Sequence, residues 1–166
     1  MRGEHKQGNL GEDPKSPYYE KKKYPEPTVC GTCKLVYHKG RWQLNGGDVA
    51  VEAGKAHRAV CPACHRVADR EPGGLVHLSG DYLADAGHRR EVLNVVKNQE
   101  RQAQAKRPLL RVMWIEQDQN DIEIATTNVH LAQRLGRAVH SAHAGELEIK
   151  YAPGARFARV YWKRDG

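Results

Sequence analysis

The stretch that decides the fold begins with CGTC at residues 30–33 and ends with CPAC at residues 61–64. These two C-x-x-C pairs contain all four cysteines of the chain, and 27 residues separate them. Two such pairs bring four thiolates around one point, which is the ligand set of many structural zinc sites. The glycine and proline inside the pairs suit tight turns. We therefore predict a zinc ribbon with one structural Zn²⁺, bound by Cys30, Cys33, Cys61 and Cys64.

Two other uses of the cysteines compete with a metal site. Disulfides need an oxidising compartment, and residues 1–27 are polar throughout, without an apolar signal segment. A redox C-x-x-C needs one reactive pair beside a βαβ unit, whereas two pairs here flank a β-like segment. His38, His57 and His65 are conceivable alternative ligands, although surface or packing roles are expected for them. A four-cysteine site has no open coordination position, so the metal is expected not to be catalytic.

Charge is unevenly distributed along the chain. The 27 Lys and Arg exceed the 20 Asp and Glu, and the net charge of +7 suggests an anionic partner. Residues 88–107 carry six basic and two acidic side chains, residues 132–166 carry seven and three, and residues 108–131 carry one and four. The positive charge is therefore concentrated in two segments. No apolar run of about 18 residues predicts a membrane-spanning helix, and the lack of a signal segment predicts a cytoplasmic location.

Three regions are predicted: a disordered or extended arm at residues 1–27, the zinc ribbon at 28–72 and an α+β domain at 73–166. The arm is polar and contains four prolines. Its tyrosines and lysines at residues 18–24 suit either RNA contact or a solvated tail. In the ribbon, residues 35–37 and 42–44 are expected to form a hairpin around a turn at 39–40, followed by a loop at 45–48.

The α+β domain alternates strand and helix patterns. Strands are expected at 75–78, 109–116, 121–127, 147–151 and 157–162. One helix is expected from about 82 to 106, capped by Asp81 with a break near Gly87, and another from the N-cap Asn128 to residue 144. Pro108 and Gly145 suit the two helix ends. The order β-α-β-β-α-β plus one strand predicts an α+β fold class, a zinc ribbon followed by a ferredoxin-like split βαβ domain.

Candidate RNA-binding residues follow from charge on predicted surfaces. His130, Arg134 and Arg137 share one face of the second helix, where they suit phosphate contact or a solvated surface. In a split βαβ fold both helices lie on one side of the sheet, so the basic face of the first helix can join them. The hairpin tip adds cations and Trp42, which is expected either to stack on a base or to pack over the ribbon. The predicted set is Lys39, Arg41, Trp42, Arg89, Arg90, Lys97, Arg101, His130, Arg134 and Arg137.

Enzyme motifs are missing from the sequence. It contains no G-x-G-x-x-G, P-loop, H-E-x-x-H or G-x-S-x-G pattern. Once a metal takes all four cysteines, no thiol remains as a nucleophile. His140 and His143 lie near Ser141, but adjacent helix positions do not face one another. We therefore predict that the protein is not an enzyme and has no small-molecule substrate.

Short motifs carry two family resemblances. The cysteine pairs, followed by a helix, a strand and TNVH at residues 127–130, resemble the N-terminal zinc-binding part of the archaeal and eukaryotic ribosomal large-subunit export adaptor. In that family a strand ends in Thr-Glu-Pro-His before basic residues, and more cysteines are present. The chain is also similar to a family of small bacterial zinc-ribbon proteins of unknown function, through CPAC, PLxR at 108–111 and HLA at 130–132. The adaptor resemblance implies binding to the ribosome or to ribosomal RNA.

The sequence thus leads to one predicted function and two alternatives. We predict a zinc-ribbon RNA-binding protein that associates with the ribosome and acts in dormancy or assembly under stress, without a membrane partner. The first alternative is a zinc-ribbon protein-interaction or transcriptional adaptor. The second is an RNA-processing nuclease.

Overall fold

A computed structural model describes residue 18, residues 24–44 and residues 56–166, without the side chain of residue 155. It has a mixed α+β architecture with two sheets and three α-helices. The loop predicted at 45–48 and most of the arm predicted at 1–27 lie outside the described residues. The end of that arm is described from Tyr24, whose ring packs against Tyr37 and Trp42 of the ribbon.

The first sheet belongs to the ribbon and is built from four strands of three residues each. They are β1 (Thr28–Cys30), β2 (Val36–His38), β3 (Arg41–Gln43) and β4 (His57–Ala59). Their order is β3-β2-β1-β4, with β1 antiparallel to β2 and parallel to β4. The predicted hairpin is confirmed as β2 and β3, and both turn residues, Lys39 and Gly40, have positive φ.

A helix that the sequence analysis missed follows the second cysteine pair. It is α1 (Pro62–Asp69), with Cys61 as the N-cap residue and Pro62 in its first turn. Proline is favoured there because its fixed φ is helical and its missing N–H would have no helical partner. The helix ends at Arg70, which adopts a left-handed conformation. Eight residues are too few to show a clear helical period, so CPAC indicated only a turn.

The second sheet has five strands and belongs to the α+β domain. They are β5 (Gly74–Ser79), β6 (Val112–Asp118), β7 (Asp121–Thr126), β8 (Glu146–Tyr151) and β9 (Ala158–Lys163). Their order is β6-β7-β5-β9-β8, with β5 antiparallel to β7 and parallel to β9. The additional strand, β9, therefore lies inside the sheet. Its alternate residues Ala158, Val160 and Trp162 are buried, which an edge position would not favour.

Two long helices, α2 (Ala86–Lys106) and α3 (Val129–His143), complete the domain. Asp81 starts a short 3-10 turn instead of capping α2, so the predicted cap is wrong. The N-cap is Asp85, whose carboxylate accepts a hydrogen bond from the backbone N–H of His88 at 3.0 Å. The predicted cap of α3 is confirmed, since the Asn128 side chain accepts from the N–H of His130 at 2.7 Å.

Both long helices cover the same face of the five-stranded sheet. Their apolar side chains form one core with the buried strand positions: Val76, Leu78, Val92, Val96, Ile122, Ile124, Leu131, Leu135, Val139, Val160 and Trp162. The opposite face of the sheet carries half-buried residues, including His77 stacked on Tyr161. No helix within the described parts of the chain combines the length and apolar character needed to cross a bilayer.

Helix α3 approaches the sheet closely at Gly136, and Gly136→Ala tests this packing. A methyl group there would lie 2.3 Å from Val160 Cγ1 and 3.3 Å from Leu147 Cδ1. Alanine favours a helix by up to ~1 kcal/mol, but overpacking against a fully buried valine typically costs about 1–3 kcal/mol. We expect a net loss in the free energy of unfolding, measured by urea titration.

Gly87→Ala in the first turn of α2 is the matched control. The nearest atom to its added methyl is Asp85 Oδ1 at 3.1 Å, the exposed N-cap acceptor of the His88 N–H, which has to shift by only a few tenths of an ångström. This variant should lose less stability than Gly136→Ala, because no buried side chain opposes its methyl group. If Gly136→Ala showed the same behaviour, the close packing of α3 on β9 would be refuted.

Candidate metal centre and nucleic-acid interface

Four sulfur atoms converge where the two cysteine pairs meet. The Sγ atoms of Cys30, Cys33, Cys61 and Cys64 all lie within 4.8 Å of one another. Cys30 Sγ is 3.8 Å from Cys64 Sγ, and Cys33 Sγ is 3.7 Å from Cys61 Sγ. A tetrahedral ion with metal–sulfur bonds of about 2.3 Å requires sulfur separations of about 3.8 Å. The sulfurs are therefore spaced for one metal ion, and all four cysteines are free of disulfides.

Backbone amides orient these sulfurs. Cys30 Sγ accepts hydrogen bonds from the N–H groups of Cys33 at 3.5 Å and Cys61 at 3.4 Å. Cys61 Sγ accepts from the N–H of Cys64 at 3.4 Å, which is also the N-cap bond of α1. Amide donors stabilise negative charge on sulfur. The start of α1 thus positions the second cysteine pair and supplies part of the electrostatic stabilisation.

The sulfur cluster is enclosed by the ribbon core. Cys30 and Cys61 are fully buried, and Cys64 is 7% exposed. They pack in one cluster with the buried side chains Leu35, Tyr37, Trp42, Ala63 and Leu109. A closed four-sulfur site surrounded by apolar and aromatic groups has the form of a structural metal centre.

The thiol pKa values shift in different directions within the cluster. Hydrogen bonding from Cys61 lowers the pKa of Cys33 to about 4, and Arg111 contributes in the same direction. The same Cys33–Cys61 hydrogen bond, together with burial, raises the pKa of Cys61. Burial raises the pKa of Cys64 to about 11. Four thiolates can therefore coexist here when a metal ion supplies compensating positive charge.

The histidines considered as alternative ligands have other contacts. His65 is exposed and lies edge-on to Tyr18, with 6.2 Å between ring centroids. His38 Nδ1 lies 3.5 Å from a carboxylate oxygen of Glu26, and His57 lies near Tyr24. The four cysteines lie close enough together to bind one metal ion. Among the described residues (18, 24–44 and 56–166), no other group of three or more His, Cys, Asp or Glu side chains does so.

Arg111 joins the sulfur cluster from the α+β domain. Its Nη1 donates to Cys64 Sγ at 3.5 Å, and its Nη2 donates to Cys33 Sγ at 3.6 Å and to the Pro108 carbonyl at 3.3 Å. These sulfurs lie 47 and 78 residues away in the sequence. The sequence analysis noted Arg111 only as part of a family motif, because no local spacing links it to the cysteines.

The predicted nucleic-acid residues of the ribbon separate into two groups. Lys39 and Arg41 are exposed at the β2–β3 turn. Trp42 is only 2% exposed and packs edge-on against Tyr24 and Tyr37, with ring centroids 5.6 and 5.4 Å away. Its burial supports the packing role rather than base stacking, because no ring face is open to a base.

Helix α2 presents three of its four predicted cations to solvent. Arg90, Lys97 and Arg101 are exposed. Arg89 is half-buried, and its guanidinium donates to the backbone carbonyls of Leu83 and Gln119. Arg89 therefore ties the start of α2 to the β6–β7 turn and does not belong to an open cationic face.

The predicted nucleic-acid residues of α3 also include both exposed and half-buried side chains. His130 and Arg137 are exposed, whereas Arg134 is half-buried against α2. Arg134 Nε donates to Gln99 Oε1 at 2.7 Å, and Nη2 donates to Gln102 Oε1 at 3.1 Å. Arg134 thus links the two long helices, a role that the helical spacing alone could not indicate.

A cleft lies between the ribbon tip and the C-terminal end of α2. Its volume is about 580 Å³, and its lining comprises Lys39, Arg41, Trp42, Gln43, Leu44, Ala105, Lys106 and Pro108. Three lining residues are cationic, and all three are exposed. Lys106 was missed by the sequence analysis because it lies more than 60 positions from the ribbon tip. We call this feature the tip cleft.

Comparisons with known proteins gave no match: no protein-family model, curated protein or solved structure matches this chain. The resemblances to the ribosomal export adaptor and to small bacterial zinc-ribbon proteins therefore stay predictions from short motifs.

Metal stoichiometry tests the four-sulfur centre. We expect one metal equivalent per chain by elemental analysis after dialysis against a weak chelator. Cys30→Ser should lose most of that metal, because it removes one ligand and the sulfur that accepts two amide hydrogen bonds. His65→Ala should retain the full equivalent. Full retention in Cys30→Ser would contradict a four-thiolate site.

Proposed function

We propose that this chain is a zinc-ribbon RNA-binding protein that associates with the ribosome and acts in dormancy or assembly under stress. The tip cleft is the observation that carries the proposal. Lys39 and Arg41 from the ribbon converge there with Lys106 from α2, and none of the described residues that line the cleft is acidic. Converging cations suit the phosphate backbone of a nucleic acid. The Glu26 carboxylate lies beside them, where it accepts hydrogen bonds from the backbone N–H groups of Lys39 and Gly40.

A cationic face of α2 supports the proposal because it leads to the tip cleft. Arg90, Lys97 and Arg101 follow at spacings of seven and four, so they share one side of the helix with Ala105, which lines the cleft. From Arg90 to Ala105 the helix extends about 22 Å at 1.5 Å per residue. RNA bound in the cleft would reach further phosphate contacts along this face.

Zinc is the metal we propose for the four-sulfur centre. A closed tetrahedral set of four sulfurs suits Zn²⁺ or an iron–sulfur site, and small ribbons commonly depend on zinc for folding. The ion would be held by Cys30, Cys33, Cys61 and Cys64 and would organise the ribbon. Because its coordination would be complete, we propose a binding protein rather than an enzyme.

The finer fold assignment belongs to the same proposal. The element order of the second domain is that of a ferredoxin-like split βαβ, with β9 inserted between β5 and β8. We propose that the domain is a variant of this plan. Its helix side would present cations to RNA, and its other sheet face would remain available to a further partner.

A double substitution tests the tip cleft. Arg41→Gln with Lys106→Gln should weaken binding to a single-stranded RNA oligomer, measured by fluorescence anisotropy over a salt series. Each lost phosphate contact lowers the slope of log affinity against log salt concentration by about 0.7 on single strands, so the slope should fall by about 1.4.

The matched control is Lys150→Gln with Lys163→Gln, which removes the same charge from exposed positions on β8 and β9. This control should bind nearly as tightly as the parent. Equal losses in both variants would indicate general attraction to polyanions and refute the cleft.

Ribosome association is tested by co-sedimentation of the full chain with ribosomes at low and moderately high salt. We expect retention with a defined ribosomal particle at both salt concentrations, because a shaped site adds contacts beyond screened charge. Release into the top fractions at both concentrations would overturn the ribosome assignment.

A protein-interaction or transcriptional adaptor is the second candidate function. Val60 and Val67, on either side of the CPAC pair, are each 40% exposed. Exposed apolar residues on a metal-supported ribbon suit contact with a protein partner. This candidate would take first place if the protein bound neither ribosomes nor RNA.

A further inference from the structure

We infer that Arg111 couples metal binding in the ribbon to docking of the ribbon on the α+β domain. Metal would then hold the two modules together as well as folding the ribbon. The inference concerns the interface itself and does not depend on RNA binding.

The guanidinium of Arg111 bridges the two cysteine pairs. It donates through Nη2 to Cys33 of the first pair and through Nη1 to Cys64 of the second pair. A planar guanidinium can make both bonds only when the two sulfurs are held at a fixed separation. A metal ion fixes that separation by binding both pairs. Without it, the pairs are free to move apart, and both acceptors are lost together.

Charge makes the bridge strong. No described carboxylate pairs with Arg111, and its buried Nε has no hydrogen-bond partner within the described part of the chain. Burying an uncompensated guanidinium is costly. A divalent metal with four thiolates has a net charge of −2, so the cluster is the counter-charge that this cation needs. The contact stabilises the metal cluster and the half-buried arginine at the same time.

The backbone of Arg111 is anchored in the α+β domain. Its N–H donates to Thr127 Oγ1 at 3.1 Å, and its carbonyl accepts from the Thr127 N–H at 3.0 Å. Thr127 Oγ1 also donates to the Leu109 carbonyl at 2.8 Å. Thr127 is 3% exposed and directly precedes the N-cap of α3. The guanidinium therefore contacts the sulfurs from a support that the domain core holds rigid.

Other contacts across the interface are apolar or solvent-exposed. Leu109 packs into the ribbon cluster beside the cysteines. Arg70, at the end of α1, lies 4.0 Å over the ring of Trp114 and 3.7 Å from Glu116. The Arg70–Glu116 pair is exposed, and such pairs contribute little. Among the described contacts, Arg111 thus makes the hydrogen bonds that link the interface to the metal ligands.

The coupling is reciprocal, as every binding linkage must be. If bound metal favours docking, then docking must favour bound metal, and loss of Arg111 should weaken both. Metal loss would also separate Lys39 and Arg41 from Lys106, which would disassemble the tip cleft. This last consequence for RNA rests on the proposed function, whereas the docking does not.

The first test compares Arg111→Met with Arg107→Met in the full chain. Both remove one positive charge, but Arg107 is exposed and its side chain has no assigned contact with the cysteines. We expect Arg111→Met to bind zinc roughly 10- to 100-fold more weakly in a competition with a chromogenic chelator, as is typical when a partner of metal ligands is removed. Arg107→Met should match the parent. Equal zinc affinity in the two variants would overturn the inference.

If Arg111→Met fails to fold, Arg111→Lys provides a second test of whether the guanidinium bridges the two cysteine pairs. Lysine retains the charge, but its single ammonium group cannot reproduce the fork that spans both cysteine pairs. Its zinc affinity should lie below that of the parent, with unchanged far-UV circular dichroism. Parent-like affinity would exclude the bridging role.

The second test removes zinc from the parent protein and measures amide hydrogen exchange. Exchange should accelerate at Arg111 and Thr127, outside the ribbon, because the docked segment loses its anchor. The amides of Val96 and Leu135 should stay protected, because the core around them lies within the α+β domain. Acceleration confined to residues 24–44 and 56–70 would show that metal folds the ribbon without docking it, and would refute the coupling.

Discussion

The structure of this protein depends on four sulfur atoms held close together beside a half-buried cation. The ribbon consists of three-residue strands, and its apolar cluster is small, so its own burial contributes limited stability. Sulfurs from both ends of the ribbon meet at 3.7 and 3.8 Å, where negative charge would repel without a metal ion. Amide donors from the first turn of α1 and the guanidinium of Arg111 share that charge. The ribbon, α1 and the segment before β6 therefore meet at the sulfur cluster.

That meeting point also determines which surfaces the protein can offer. Since Leu109 and Arg111 hold the ribbon against the domain, the β2–β3 turn lies beside the end of α2, and the tip cleft forms between them. The cations in the cleft come from distant parts of the chain. The exposed cations of α2 extend this positive surface along one side of the helix. Strand β9 lies inside the five-stranded sheet, between β5 and β8. Its residues Ala158, Val160 and Trp162 are buried under the helices, and the residues between them face the opposite side of the sheet. The proposed RNA interface is therefore a consequence of docking rather than a property of either module.

The predictions from the sequence succeeded where the signal was local. The hairpin of β2 and β3, the N-cap Asn128 and the helix that follows it were found because turn residues, caps and helical periods act over a few residues. The failures came from competition between local signals or from contacts made after folding. Asp81 and Asp85 are both acceptable N-caps, and only the latter accepts the hydrogen bond of His88. Arg134 and Arg137 belong to the same polar face by spacing, but the approach of α2 engages Arg134 with Gln99 and Gln102.

By itself, the sequence determined that four cysteines in two C-x-x-C pairs would form one cluster, and that the chain would have a mixed α+β architecture. Both conclusions depend on spacing and composition, which are properties of short segments. Tertiary structure alone decided that Arg111 would meet sulfurs 47 and 78 residues away, that Lys106 would face the ribbon tip, and that Trp42 would be buried. Such contacts depend on how the modules dock, and docking depends on the summed burial and charge of residues far apart in the chain. No pattern within a short segment of the sequence shows how these distant contributions add up.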